Sequence, residues 1–188
     1  MTTTLKAIAQ YLDNRNWKYV VDEAKSRIVT GVKAENVEQF AIVIQLLRDG
    51  ESVQIYAPQL LNVKDSVFKG VLFQSILSFL WNYYFVRFEY DPRDGEVRAS
   101  IDLFLEDNTL TERQFDRALS VLIEIVDLHA MPRMQTILAT GIDPGRKQLA
   151  QRMLEQMPED MVSLLGEAIR ERSNRAEEEG AGCRENNC

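Results

Sequence analysis

Residues 65–82 set the hardest condition on any fold this chain can adopt. From Val67 to Trp81, ten of fifteen residues are apolar: Val67, Phe68, Val71, Leu72, Phe73, Ile76, Leu77, Phe79, Leu80 and Trp81. At 100° per residue, Gly70, Gln74 and Ser78 share one narrow stripe and most of the remaining circumference is hydrophobic. A helix lying on a sheet needs an apolar face of about 100°. The surplus must therefore be covered by the C-terminal helices of the same chain or by a second chain, and both covers are open at this point. For the second, the candidate protein interface is Val67, Phe68, Val71, Leu72, Ser75 and Phe79, with Gly70 and Ser78 small enough to allow two-fold close approach.

Around this segment the hydrophobic period alternates between helix and strand. Leu5, Ile8 and Leu12 repeat at helical spacing over residues 4–14. From Trp17 the period is two: Trp17, Tyr19 and Val21 alternate with Lys18, Val20 and Asp22, and Ile28, Thr30 and Val32 follow after a polar break, as in a hairpin. Phe40, Ile42, Ile44 and Leu46 continue the pattern to Asp49-Gly50, a turn in which glycine accepts positive φ, and Ser52–Ala57 returns until Pro58 closes it. Two further strands, Phe85–Tyr90 and Glu96–Phe104, flank the turn-rich Asp91-Pro92-Arg93-Asp94-Gly95. Each puts apolar residues on one face and charge on the other, as in a sheet wet on one side. Thr111 and Gln114 form a capping box, with Leu110 placed to pack on Phe115, and Phe115, Leu119, Leu122 and Val126 point inward until Pro132 interrupts or kinks the helix. Gly141 fits a helix C-terminus and Asp143-Pro144 a new start; Pro158 separates two short helices.

The predicted class is α+β: an antiparallel sheet packed on helices in the order α-β-β-β(β)-α-β-β-α, with a helical C-terminal extension. Residues 1–140 form the domain and 141–170 the extension. Residues 171–188, where charge dominates and apolar periodicity ends, are expected to be a disordered, solvated tail.

The candidate chemistries fail on inspection. Gly141 and Lys147 have phosphate-loop separation, but Arg146 stands for the second glycine, Gln148 for the magnesium-binding hydroxyl, and a helix precedes where a strand should be. His129, the single histidine, continues the inward stripe of α-helical residues and is expected at the core or its boundary. Cys183 and Cys188 supply two thiolates where structural zinc takes four ligands. Asp91, Asp94, Glu96, Glu106 and Asp107 do not match a calcium loop and are explained by a hairpin and by the approach to a helix N-terminus. No catalytic residue, cofactor or metal is assigned. A net charge of −7 opposes nucleic-acid binding, and no apolar run reaches the roughly 18 residues of a membrane span. Without a signal-peptide pattern or a cysteine framework, a cytoplasmic location is expected.

One block is more specific. Phe88-Glu89-Tyr90-Asp91-Pro92-Arg93-Asp94-Gly95-Glu96-Val97-Arg98, followed by Leu105-Glu106-Asp107, Leu110-Thr111 and Gln114-Phe115-Asp116-Arg117, resembles the cyanobacterial branch of the YbjN family, the "putative bacterial sensory transduction regulator". The family's domain is similar to type III secretion chaperones, and the resemblance covers roughly residues 1–140. It implies a non-enzymatic protein-interaction or regulatory domain, often homodimeric, with an unidentified protein partner or client and with the apolar helix as a contact. The competing reading is a small-ligand-binding domain or enzyme with a pocket between sheet and helices, its polar wall made by Arg87, Glu89, Arg98 and Asp102.

Overall fold

The computed structural model describes residues 2–145, 154 and 157–185, with 173–185 as backbone alone. The chain divides into two compact units, Met1–Pro144 and Gly145–Cys188.

Thr4 starts the first unit: its hydroxyl accepts the Ala7 N–H at 3.2 Å and caps α1 (Leu5–Asn14), which buries Ile8 and Leu12. Six strands follow in two groups: β1 (Tyr19–Asp22), β2 (Arg27–Val32), β3 (Phe40–Leu47) and β4 (Ser52–Asn62), then, after α2 (Lys69–Leu80), β5 (Arg87–Tyr90) and β6 (Glu96–Phe104). They form one antiparallel sheet in the order β1-β2-β3-β4-β6-β5.

The turn from β3 to β4 shows why its glycine is required. Gly50 has φ +90°, and a Cβ there would lie 2.2 Å from the Thr3 carbonyl oxygen. Beyond Ala57 the structure departs from the sequence expectation. Pro58 does not end β4, because a bulge between Ala57 and Leu61 takes up the proline that a regular ladder cannot use. Within the bulge the Gln59 N–H donates to the Glu96 carboxylate at 2.9 Å.

The register assigns the two faces of the sheet. Ile28, Ile44, Ile55 and Ile101 lie side by side across β2, β3, β4 and β6, all buried beneath the helices. On the opposite face the row is Val20, Val29, Val43, Tyr56, Ser100 and Arg87.

α3 (Glu112–Glu124) has the capping box read from its sequence: the Gln114 N–H donates to Thr111 Oγ1 at 3.3 Å and the Thr111 N–H donates to Gln114 Oε1 at 3.0 Å. Its inner face is Phe115, Ala118, Leu119 and Leu122. A π-helical turn, Ile125–Ala130, then leads into α4 (Met131–Thr140), with Pro132 in its first turn. Pro132 lacks the N–H that would close a regular turn, and the wider turn accommodates it. The extra residue rotates the inward stripe by one position. Asp127 faces the core and His129 is turned outward, which corrects the placement expected from a uniform helical period. Gly141 ends α4 at φ +74°, where a Cβ would strike the Phe68 ring at 2.5 Å.

In the second unit, α5 runs Glu159–Glu185, directly after Pro158. Residues 171–185 are thus helical where the loss of apolar periodicity points to a disordered tail. Glu177, Glu178, Glu179, Ala176 and Arg175 are helix formers in their own right. The first of the two short helices expected around Pro158, together with Arg146, Lys147, Gln148 and Cys188, falls outside the described residues.

Candidate functional site

α2 is the element with two jobs. Its phase on the sheet is fixed by Leu72, Ser75, Ile76 and Phe79, all buried in the core with Val86, Phe115 and Ile137. Three of the six residues expected at a partner interface, Leu72, Ser75 and Phe79, are therefore committed to this chain's own core. Phe68 and Val71 are half-buried, Phe68 against Gly141 of the α4 terminus, and Val67 alone of the six is open, at 87% exposure.

The surplus apolar surface lies elsewhere on the same segment. Leu77 is 72% exposed, Trp81 85%, Tyr84 78% and Phe85 85%. On the helix circumference Leu77 borders the stripe of Gly70, Gln74 and Ser78 and Trp81 falls within it, opposite Leu72. Gly70 has nothing within 4 Å of a notional Cβ. The outward face is thus an open, shallow surface with small residues between large apolar ones. On the inward side the buried Phe79 stacks on Tyr83 at 4.3 Å between centroids, and Tyr83 lies 5.3 Å from the exposed His129 ring on the π turn, beside the exposed Leu128. Phe85 sits at φ +74°, a left-handed conformation that costs an aromatic residue of order 1–3 kcal/mol and that persists only where the surroundings impose it. Sequence reading missed this set because a helix apolar on nearly every side gives no phase; the phase is set by which side the sheet takes.

The second candidate wall is also displaced. Arg87, Glu89, Arg98 and Asp102 do not line a cleft between sheet and helices; they form a ladder on the face away from the helices. Arg87 donates to Glu89 at 2.7 Å and to Asp102, Arg98 donates to Glu89 at 2.5 Å and lies over the Tyr56 ring at 5.0 Å, and the Gln54 amide donates to Asp102 at 2.9 Å. Partial burial opposes the Arg87 charge, but the hydrogen bonds it donates to the Asp102 and Glu89 carboxylates outweigh it and raise its pKa. Each charge is matched inside the sheet, as in ordinary cross-strand pairing. The adjoining concavity, about 480 Å³ and wide open, is lined by the β5–β6 turn. There Asp91 is held at a pKa of about 2 by the side-chain and backbone donors of Arg93, and the Asp94 carboxylate accepts the Glu96 N–H at 3.0 Å. The acidic residues of this turn are spent on shaping it. Among the described residues no group of three His, Cys, Asp or Glu is placed to hold a metal, and no helix is long and apolar enough to cross a membrane.

One buried charge has no counterpart in the sequence reading. Asp127, 4% exposed on the π turn, accepts the backbone N–H groups of Glu35, Asn36 and Val37 at 2.9, 2.8 and 3.0 Å. Burial pushes its pKa up, but the three backbone donors prevail and hold it below the usual carboxylate value. It fastens the β2–β3 loop to the helices. Asp143, at the phosphate-loop-like Gly141–Lys147 stretch, accepts two hydrogen bonds from Arg133, both at 2.8 Å, so that stretch begins as a helix terminus held by an ion pair.

Comparison with known proteins agrees with this architecture. Among solved structures, the chain is similar to "YbjN, a putative transcription regulator from E. coli", at 13% identity and a TM-score of 0.55, over 70% of this chain and 92% of that one. It is also similar to a chain of the ExsC–ExsE complex, at 19% identity and a TM-score of 0.50, over 68% of this chain and 93% of that one. At these identities the likeness establishes the fold, which is type III secretion chaperone-like α+β. No curated protein matches the chain in sequence. The model of the family described as "Putative bacterial sensory transduction regulator" matches residues 4–130, the greater part of the first unit, and the chain belongs to that family, YbjN.

Proposed function

We propose that this protein is a non-enzymatic interaction module of the cytoplasm that forms a homodimer through the outward face of α2 and binds segments of a further protein, in the manner of a chaperone or regulator. The observation that carries the reading is the cluster of Leu77, Trp81, Tyr84 and Phe85, four large apolar side chains each more than 70% exposed within nine residues. Contiguous apolar surface of this kind marks association sites in soluble proteins, and aromatic residues dominate the energetics of such sites. Family membership supports the reading, and so does the fold shared with a chain whose structure is a protein–protein complex.

Light scattering on the full chain tests it. A mass near twice 21.6 kDa is expected for the wild type, and Trp81→Ala combined with Leu77→Gln is expected to raise the dissociation constant at least tenfold. A wild type that stays monomeric at high concentration, or a dimer indifferent to the double variant, overturns the dimer.

A further inference from the structure

β6 is nine residues long and β5 four, so β5 pairs with Val97–Ser100 and stops. In an antiparallel ladder, opposed residues alternate between hydrogen-bonded and non-hydrogen-bonded pairs, which fixes the side toward which each residue's N–H and C=O point. Two bonds set that parity here. The Asp91 N–H donates to the Glu96 C=O at 2.9 Å, so even-numbered residues of β6 face β5. The Leu105 N–H donates to the Glu51 C=O at 2.9 Å, so odd-numbered residues face β4. Asp102 and Phe104 therefore aim their backbone groups at the side where β5 has already ended. No backbone hydrogen bond from another described segment reaches them on that side.

The missing neighbour follows from the chain's path. Continued in register, β5 would set Val86 and Phe85 opposite Ile101 and Asp102. Val86 is instead buried in the core and Phe85 turns away at its left-handed φ. An open edge is a template for another strand, and proteins usually blunt one with a charge, a proline or a cover. Here the one charge, Asp102, is neutralised by Arg87 and accepts a hydrogen bond from the Gln54 amide, and the ends of the gap carry Phe85 and Phe104, both strongly exposed. Beyond Phe104 stand the exposed acids Glu51, Glu106 and Asp107, none in an ion pair with a described residue. Their charge favours an incoming chain with lysine or arginine at that end.

We propose that the β6 edge at Asp102 and Phe104 is a docking slot for an extended segment of a partner protein. The segment adds as a short strand, with apolar side chains against Phe85 and Phe104 and basic ones toward Glu51, Glu106 and Asp107. The inference rests on the interaction-module reading and adds to it the place, conformation and charge of the bound segment.

The probe is a fluorescein-labelled octapeptide of alternating valine and threonine ending in two lysines, titrated into the full-length chain and followed by anisotropy. The same peptide N-methylated at every second residue, which blocks its edge donors while keeping its side chains, is expected to bind at least tenfold more weakly. A peptide with glutamates for the lysines is expected to lose about fivefold at low salt. Phe104→Pro removes an edge N–H that β4 does not use and is expected to cost at least tenfold, against about threefold for Phe104→Ala. Equal binding of the methylated and unmethylated peptides to the wild type overturns the proposal, and that comparison needs no variant to fold. So does no binding by the wild type, or a Phe104→Pro chain that loses self-association without peptide, since the edge would then belong to a second copy. A dimer that survives Trp81→Ala with Leu77→Gln strikes the reading beneath and leaves the methylation comparison standing.

Discussion

α2 and α3 pack on the same face of one sheet and differ in how much of their surface the fold consumes. α3 is amphipathic: Phe115, Ala118, Leu119 and Leu122 face in, Arg113, Asp116, Arg117 and Glu124 face out or sit at the margin, and a capping box fixes where it starts. α2 has no side-chain cap and is apolar on nearly every side, yet it buries a stripe no wider than that of α3. Since one sheet hides about one stripe per helix, the extra apolar surface of α2 gains nothing for folding the monomer. A helix whose outward residues are charged is finished by its own fold; one that ends in exposed Trp81, Tyr84 and Phe85 is finished by something else.

The largest expected effects test whether the inner stripes are equivalent. Leu72 of α2 and Leu119 of α3 are both fully buried, so Leu72→Ala and Leu119→Ala should each cost about 2–5 kcal/mol in urea unfolding. If Leu72→Ala costs much less than Leu119→Ala, α2 is not a core helix in the sense that α3 is, and the two-job description fails.

That contrast also explains what the sequence could reveal. α3 was legible because each level of its sequence agrees: Thr111 and Gln114 mark the start, and the stripe gives the phase. For α2 the sequence discloses a surplus but not its direction: it points to Leu72, Ser75 and Phe79 as interface residues, which the structure buries, and carries no signal that marks Trp81 apart from its apolar neighbours. Strands were legible where alternation was regular and failed where backbone geometry intervened, at the Pro58 bulge and at Phe85, two residues before β5 begins. His129 and Asp127 exchanged roles because one inserted residue in a π turn shifts every later position, and no count at a fixed period detects that insertion.

Intermediate effects are expected at that π turn, where the α3 end is tied down and the α2 end is not. Asp127→Asn keeps an acceptor but loses the charge and the geometry of three N–H bonds, and should cost about 1–3 kcal/mol near neutral pH. The folded carboxyl titrates below its ordinary value. Its contribution is therefore fully present above the unfolded pKa of about 3.9 and is lost as pH falls through the lower folded value. The stability gap between wild type and Asp127→Asn should accordingly hold from pH 7 to about 5 and narrow below about 4. A gap that widens toward acid would reverse the sign of the shift and with it the role given to the three donors.

The smallest effect is the sharpest on the comparison itself. Leu77 directly follows the buried Ile76 and stands two residues before the buried Phe79, yet is 72% exposed, so Leu77→Gln removes apolar surface that the monomer never buried. Under conditions where the chain is monomeric, its stability should change by no more than about 0.5 kcal/mol in either direction, as for other surface substitutions. A loss approaching that of Leu72→Ala would mean that Leu77 is covered by this chain in solution. The outward side of α2 would then be core like its inward side, and the difference from α3 on which an association surface depends would be gone.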